Sequence, residues 1–252
     1  MISRGVALLT RLAPWLGELV DDPRLELRLD ESMSRHTTLR LGGPADLWAR
    51  PADEAALIAL LHACHESATP TTFVGSGTNL LVRDGGLRGV VVNLGRLNRV
   101  HRPAPEQRPT LVEVEAGSST GRLLSQATQW ELGGVEFLGG VPGSVGGGLI
   151  MNAGTYLGEF TNVVVEVRSL ERSGRRIVRD HDACGFRYRD SDLPPSEIVV
   201  SALLELRPRP RAEIELEVAA LRKRRDEREP KGVPNNGSTF KNPPGEFAGR
   251  LI

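Results

Sequence analysis

Two runs of small residues carry the most pointed chemistry in this chain. Gly75-Ser-Gly-Thr-Asn-Leu-Leu-Val82 follows directly on the apolar run Thr71–Val74. Small residues there let consecutive backbone N–H groups turn toward an anion, and the side chains of Ser76, Thr78 and Asn79 add further hydrogen bonds. Taken alone, the run fits a tight strand-end turn equally well. The second run is Leu138-Gly-Gly-Val-Pro-Gly-Ser-Val-Gly-Gly-Gly148, continued by Met151-Asn-Ala-Gly154. It has too little side-chain bulk to build a core, yet Val141, Val145, Leu149, Ile150 and Met151 interrupt it, unlike a flexible linker. Its composition predicts backbone lying against a flat or extended ligand, with exposed N–H groups for a diphosphate.

Other familiar sites are excluded by inspection. The lysines are Lys223, Lys231 and Lys241, none of them directly after glycine, so there is no Walker A loop. Gly75-Ser-Gly77 is followed by Thr78, Asn79 and Leu80, so there is no dinucleotide GxGxxG either. His62 and His65 stand three apart on a helical pattern without an HExxH or a cysteine cluster; they read as helix surface, and no metal site is expected. Two polar clusters remain, Tyr188-Arg-Asp-Ser191 and Gly237-Ser-Thr-Phe-Lys-Asn-Pro243. Singly, Arg189 and Ser238 read as ordinary surface residues. Ser238 has neither a nucleophile elbow nor a neighbouring histidine to activate it. Arg222-Lys-Arg-Arg225 reads as a solvated helix face, although Arg224 and Arg228, one helical turn apart, share a side that can grip a diphosphate.

The elements that must position these residues follow from periodicity. Residues 1–30 predict a short helix and a polar connector. Asp46–Arg50 reads as a strand, Ala55–His65 as a helix and Thr71–Val74 as a strand, together a βαβ unit. Val90–Leu94 and Leu111–Glu115 predict strands; a helix capped by Thr120 runs to Gln129 and is ended by Gly133-Gly134. Residues 137–158 read as a Gly-rich loop. Val163–Leu170 and Arg176–Val178 form a hairpin around Gly174, Ile198–Leu206 is a strand, and Glu213–Arg228 a charged helix. Pro208 and Pro210 mark a boundary near residue 210.

Composition bounds the class. The 252 residues carry 32 Lys+Arg and 32 Asp+Glu, so nothing favours a nucleic-acid partner. Two cysteines and no CxxC fit a reducing cytosol. No apolar stretch approaches a membrane span and the N-terminus does not read as a signal peptide, so a cytoplasmic protein without membrane insertion is expected. The 28 glycines are the unusual count. Oligomeric state is not legible.

Five motifs in order resemble those of the UDP-N-acetylenolpyruvoylglucosamine reductases, flavoenzymes that make UDP-N-acetylmuramate for peptidoglycan. They are His36-Thr-Thr38 with Gly42-Gly-Pro-Ala-Asp46, Gly75 to Leu81, Gly140-Val-Pro-Gly-Ser-Val-Gly-Gly147 with Met151 to Gly154, Tyr188 to Ser191, and Gly237 to Pro243. The resemblance implies an α+β chain. An N-terminal helix and connector (1–33) precede an FAD-binding fold of the vanillyl-alcohol-oxidase type (34–209), and a partial substrate-binding α+β domain starts at 210–252. It also implies FAD held by Gly75, Ser76, Gly77, Thr78, Asn79 and Leu80 of the first run. From the second run come Gly140, Pro142, Gly143, Ser144, Gly146, Gly147, Asn152 and Gly154. Neither run contains His or Cys, so the flavin is expected to be non-covalent. NADPH is the implied co-substrate. Arg189 matches the arginine that stabilises a developing enolate, and Ser238 the serine that protonates it. Tyr188, Arg224, Arg228, Lys241 and Asn242 match positions that hold the UDP-sugar.

Thr78 replaces the usual serine, keeping the hydroxyl, and Gly148 stands where alanine is common. The family's catalytic glutamate lies in a segment beyond the position of Ile252, so an incomplete substrate domain is expected. Two other readings stay open: an FAD-dependent oxidase or dehydrogenase of the same fold, which would need neither Arg189 nor Ser238, and a non-catalytic flavin-binding fragment.

Overall fold

The computed structural model describes residues 2–227 and 233–252. The first layer is built from helix α1 (Arg4–Leu16), strands β1 (Leu25–Ser32) and β2 (Pro44–Pro51), helix α2 (Glu54–Glu66), and strands β3 (Thr71–Val74) and β4 (Leu87–Asn93). Its strand order is β1-β2-β4-β3. β2, β4 and β3 run parallel, and β1 lies antiparallel at the edge. The strand–helix–strand unit is therefore present, but β4 inserts between its two strands. β2 and β4 are apolar through their centres and buried, as parallel strands covered on both faces must be. Asp53 starts α2 by accepting the Ala56 N–H at 2.8 Å.

β1 corrects the expectation of a polar connector. Leu25, Leu27 and Leu29 alternate with Glu26, Arg28 and Asp30, and pair with Pro51, Ala49 and Leu47 of β2. Charges on the outward side of an edge strand mask its period of two.

The second layer continues with β5 (Val100–His101), β6 (Leu111–Glu115), α3 (Thr120–Gln129), β7 (Leu132–Gly133) and α4 (Val145–Ile150). A small hairpin of β8 (Gly154–Thr155) and β9 (Gly158–Glu159) follows, then β10 (Val164–Glu171), β11 (Arg176–Asp180), β12 (Glu197–Glu205) and β13 (Arg207–Pro208). Five of these form an antiparallel sheet in the order β11-β10-β12-β6-β5.

Three details differ from the reading of the sequence. Ser119, not Thr120, caps α3, because its hydroxyl accepts the Arg122 N–H at 3.1 Å while the Thr120 hydroxyl donates to Val141 O at 2.6 Å. The helix ends at a left-handed Glu131 (φ +56°), and Gly133 belongs to β7. The expected loop over 137–158 contains a helical turn, α4, and the β8–β9 hairpin.

Helix α5 (Arg211–Asp226) closes the layer by burying Ile214, Val218 and Leu221, and α6 (Ala248–Leu251) is a single exposed turn. One apolar cluster joins the facing layers, and a smaller one (Met33, Ala45, Trp48, Val74, Val82, Val91) fills the opposite face of the first sheet. Among the described residues, no helix is long and apolar enough to cross a membrane.

Candidate active site

β3 and β4 end side by side at Val74 and Asn93. The Asn93 amide donates to Val74 O and to Gly75 O, both at 2.9 Å, and its carbonyl accepts the Gly95 N–H at 3.0 Å. The first glycine run thus leaves the sheet from a fixed point. At Gly77 φ is +66°, and a Cβ there would strike the His36 carbonyl oxygen, so the position excludes any side chain. Among the described residues, the backbone N–H groups of Ser76, Gly77, Thr78 and Asn79 have no hydrogen-bond partner. The second run lies against the first: Thr78 donates to Pro142 O at 3.4 Å, and a Cβ on Gly75 would collide with Ser144 Oγ.

Beside this contact is a cavity of about 390 Å³ lined by Gly75, Ser76, Asn93, Gly117 and Ser144, with Trp48, Arg50 and His36 on its wall. Among the described residues, Trp48 Nε1 and Arg50 Nε are buried without a partner. His36 stacks on Trp48 with ring centroids 3.7 Å apart, and its Nε2 lies 2.9 Å from Glu31. Burial opposes the charge on Glu31, but His36 and Arg28 outweigh it and hold the carboxyl below its ordinary value. Unpartnered N–H groups and arginine beside an aromatic wall suit an anionic dinucleotide, so these residues fit FAD. Asn93, Trp48 and Arg50 were missed in the sequence; the signal was an asparagine closing the Val90–Val92 run just before Gly95.

The second run is less open than its composition implies. The N–H groups of Val145 and Gly146 donate to Ser118 O and Ala116 O at 2.9 and 2.8 Å, so they do not remain for a diphosphate. A Cβ on Gly146 would lie 2.9 Å from that of Ala116, one on Gly140 2.7 Å from Arg225 Cδ, and one on Gly148 would meet the Phe160 ring. These three glycines admit neighbouring protein. Ser144 is the residue of the run that lines the cavity. Gly143 (φ +140°) adjoins Thr78, and Gly147 packs loosely on Ser144.

Arg189 occupies a second cluster. It is left-handed (φ +56°) within a bridge in which Arg187 and Asp190 exchange backbone hydrogen bonds of 3.0 and 3.1 Å. Its guanidinium donates from Nη2 to Gly154 O at 2.7 Å and from Nη1 to Asn152 O and Glu159 Oε2 at 3.5 and 3.4 Å. Asn152, also left-handed (φ +38°), is fully buried. Its amide donates to Arg187 O at 3.1 Å and its carbonyl accepts the Thr161 N–H at 2.9 Å. The Asn152 side chain, expected against the cofactor, is therefore occupied within the protein. Tyr188 is half exposed, with the Arg189 guanidinium 4.9 Å from its ring. Arg224 lies 4.4 Å over the exposed ring of Tyr156, a partner the sequence reading did not single out.

The remaining expected residues are not gathered here. Ser238, Lys241 and Asn242 are exposed, and among the described residues the hydrogen bonds of 233–252 stay inside that segment, such as Ala248 N–H to Asn242 at 3.0 Å. Arg228 lies outside the described residues.

An FAD-binding-domain family matches residues 45–179. UDP-N-acetylenolpyruvoylglucosamine reductase of Moorella thermoacetica is 43% identical over 244 residues, covering 97% of this chain and 78% of its own length. The crystal structure of the Thermus caldophilus reductase superposes with a TM-score of 0.75 at 34% identity, over 91% of this chain and 79% of that one. A glucose oxidase variant, Phl p 4, shares the fold alone: TM-score 0.61 at 15% identity, over 81% and 44% of the two chains. The two layers are the FAD-binding fold of the vanillyl-alcohol-oxidase type, and the chain is an FAD-dependent oxidoreductase belonging to the UDP-N-acetylenolpyruvoylglucosamine reductase family.

Proposed function

We propose that this protein reduces the enolpyruvyl double bond of UDP-N-acetylglucosamine enolpyruvate with NADPH, giving UDP-N-acetylmuramate for peptidoglycan in the cytoplasm. The observation that carries the reading is Arg189, an always-charged guanidinium held on three sides by backbone and carboxylate oxygens. Bound FAD supplies the acceptance and delivery of hydride. The residues of this chain do the rest. Ser76 to Asn79 present backbone N–H groups to the flavin diphosphate, beside Gly75, Leu80, Pro142, Gly143, Ser144 and Gly147. Gly140 and Gly146 let Arg225 and Ala116 pack against the second run, and Asn152 and Gly154 hold Arg187 and Arg189.

Arg189 stabilises negative charge developing on the substrate carboxylate as hydride reaches the alkene, an effect of preorganised charge. Ser238 donates the proton that completes the product; a hydroxyl suffices when a network resupplies it. Tyr188, Arg224, Lys241 and Asn242 hold the UDP-sugar, and Arg228 belongs to the same assignment. Residues 34–209 form the cofactor domain, 1–33 its N-terminal cover, and 210–252 the substrate side.

Two measurements test the reading. The purified protein should be yellow and release FAD on acid precipitation; flavin left on the precipitate would exclude non-covalent binding. NADPH oxidation by the flavin-loaded protein should accelerate on adding the enolpyruvyl sugar. Oxidation that depends on dioxygen and ignores the sugar would favour an oxidase instead.

A further inference from the structure

Arg189 is held by three acceptors from two tied turns. Its Gly154 and Glu159 contacts come from paired positions of one hairpin, since Gly154 and Glu159 face each other across β8 and β9. Glu159 is itself fixed: its side chain accepts the Asn162 N–H, while the Asn162 side chain accepts the Glu159 N–H at 2.8 Å. The third contact, Asn152 O, belongs to a fully buried residue whose amide holds the carbonyl of Arg187. Hairpin and Arg187–Asp190 bridge are thus tied together on both the main-chain and side-chain side of Arg189. A carboxylate is an odd neighbour for an arginine meant to meet an anionic substrate, because it offsets part of the charge the substrate needs. Its value must lie in orientation.

We propose that Glu159 is a positioning residue that sets the Arg189 guanidinium for the carboxylate of the enolpyruvyl group. The proposal rests on the role of Arg189 argued above. Removing Glu159 leaves the positive charge and frees its direction. Binding of the anionic substrate therefore holds or tightens while the chemical step slows, a split between affinity and rate that loss of a merely structural contact would not give.

The test uses flavin-loaded protein. Substrate affinity is read from the flavin absorbance change on titration, and the rate from a single turnover of NADPH-reduced protein mixed with the enolpyruvyl sugar. Glu159→Ala should keep the Kd within about threefold and slow the single turnover by roughly 10²-fold, the usual effect of a small misplacement. Glu159→Gln, which keeps an acceptor, should recover most of the rate. Asn162→Ala removes the acceptor of the Glu159 N–H but not the Arg189 contact, and should slow turnover by less than about threefold. A readout independent of turnover is the ¹⁵N spectrum of the Arg189 guanidinium, whose C–N rotation should quicken in Glu159→Ala alone. The proposal is overturned if Glu159→Ala leaves rate and spectrum unchanged, if it weakens binding as much as it slows turnover, or if Asn162→Ala matches it. Arg189→Ala separates the two levels. If it does not slow turnover, the reading of Arg189 fails. If it does and Glu159→Ala does not, only the positioning role fails.

Discussion

The cofactor side of the molecule and its segment at residues 233–252 carry equally specific motifs, yet they are ordered in opposite ways. Gly75–Asn79 leaves the ends of two parallel strands, pinned by Asn93 and hemmed in by His36 O, Pro142 O and Ser144. Gly237–Pro243 hangs on hydrogen bonds within its own segment, with Ser238 and Phe240 exposed. A motif records what chemistry a stretch performs; only the surrounding packing records what holds it in place. The cofactor cradle is built from the core outward. The segment that carries Ser238 takes no support from that core among the described residues.

The largest effect that can break this contrast is chemical. Ser238→Ala should slow transfer from reduced flavin to the enolpyruvyl sugar by roughly 10²–10⁴-fold, the weight of a positioned general acid, while NADPH reduction of the flavin stays nearly unchanged. Stopped-flow absorbance of the two half-reactions decides it. Slowed flavin reduction with intact reoxidation would place Ser238 with the nucleotide.

A second effect probes the solidity of the ordered layers. Burial pushes the Cys64 thiol up to about 12 and the Cys184 thiol up to about 11. At pH 8 the thiolate fraction of Cys64 then falls by about 10³-fold relative to an unperturbed thiol. A thiol-reactive dye should leave the native protein essentially unlabelled at pH 8 and modify two thiols after denaturation. Rapid native labelling would show a core that opens readily.

The smallest effect compares one substitution in both regions. Gly77→Ala meets both a left-handed backbone and the His36 carbonyl, whereas Gly237 (φ +74°) has nothing within 4 Å of an added Cβ among the described residues. Gly237→Ala should therefore carry only the conformational cost, about 1–2 kcal/mol at most. Gly77→Ala adds a displacement of the cradle, weakening FAD tenfold for each ~1.4 kcal/mol lost. Equal FAD affinities in the two variants, by fluorescence titration, would remove the distinction.

How much of this was legible in the sequence depended on which interaction wrote the pattern. Thr71–Val74 and Leu111–Glu115 were read to the residue, and the helix ending at Gln129 to within one position at its cap, because apolar periodicity and turn residues coincide there. β1 was not, since its alternate Glu and Arg positions mimic a connector. Among the glycines, composition could not separate Gly77, which bends beside His36, from Gly148, which makes room for Phe160. That distinction lives in contacts between distant segments. The Asn152–Arg187 bond spans 35 residues, and Arg224 over Tyr156 joins α5 to the β8–β9 turn. Neither leaves a mark in local spacing.

The position of β12 bears on how the protein is made. It is the central strand of the second sheet, buried through nearly its whole length, yet the last of the five to be synthesised. Its Val200 carbonyl accepts the Ala116 N–H, and Ala116 and Ser118 in turn fix Val145 and Gly146. Until residues near 205 have left the ribosome, β6 and β10 have no strand between them and the second glycine run lacks its anchor. The nascent chain thus carries an open sheet through some ninety residues of synthesis, a long-range pairing of the kind that folds slowly and aggregates easily.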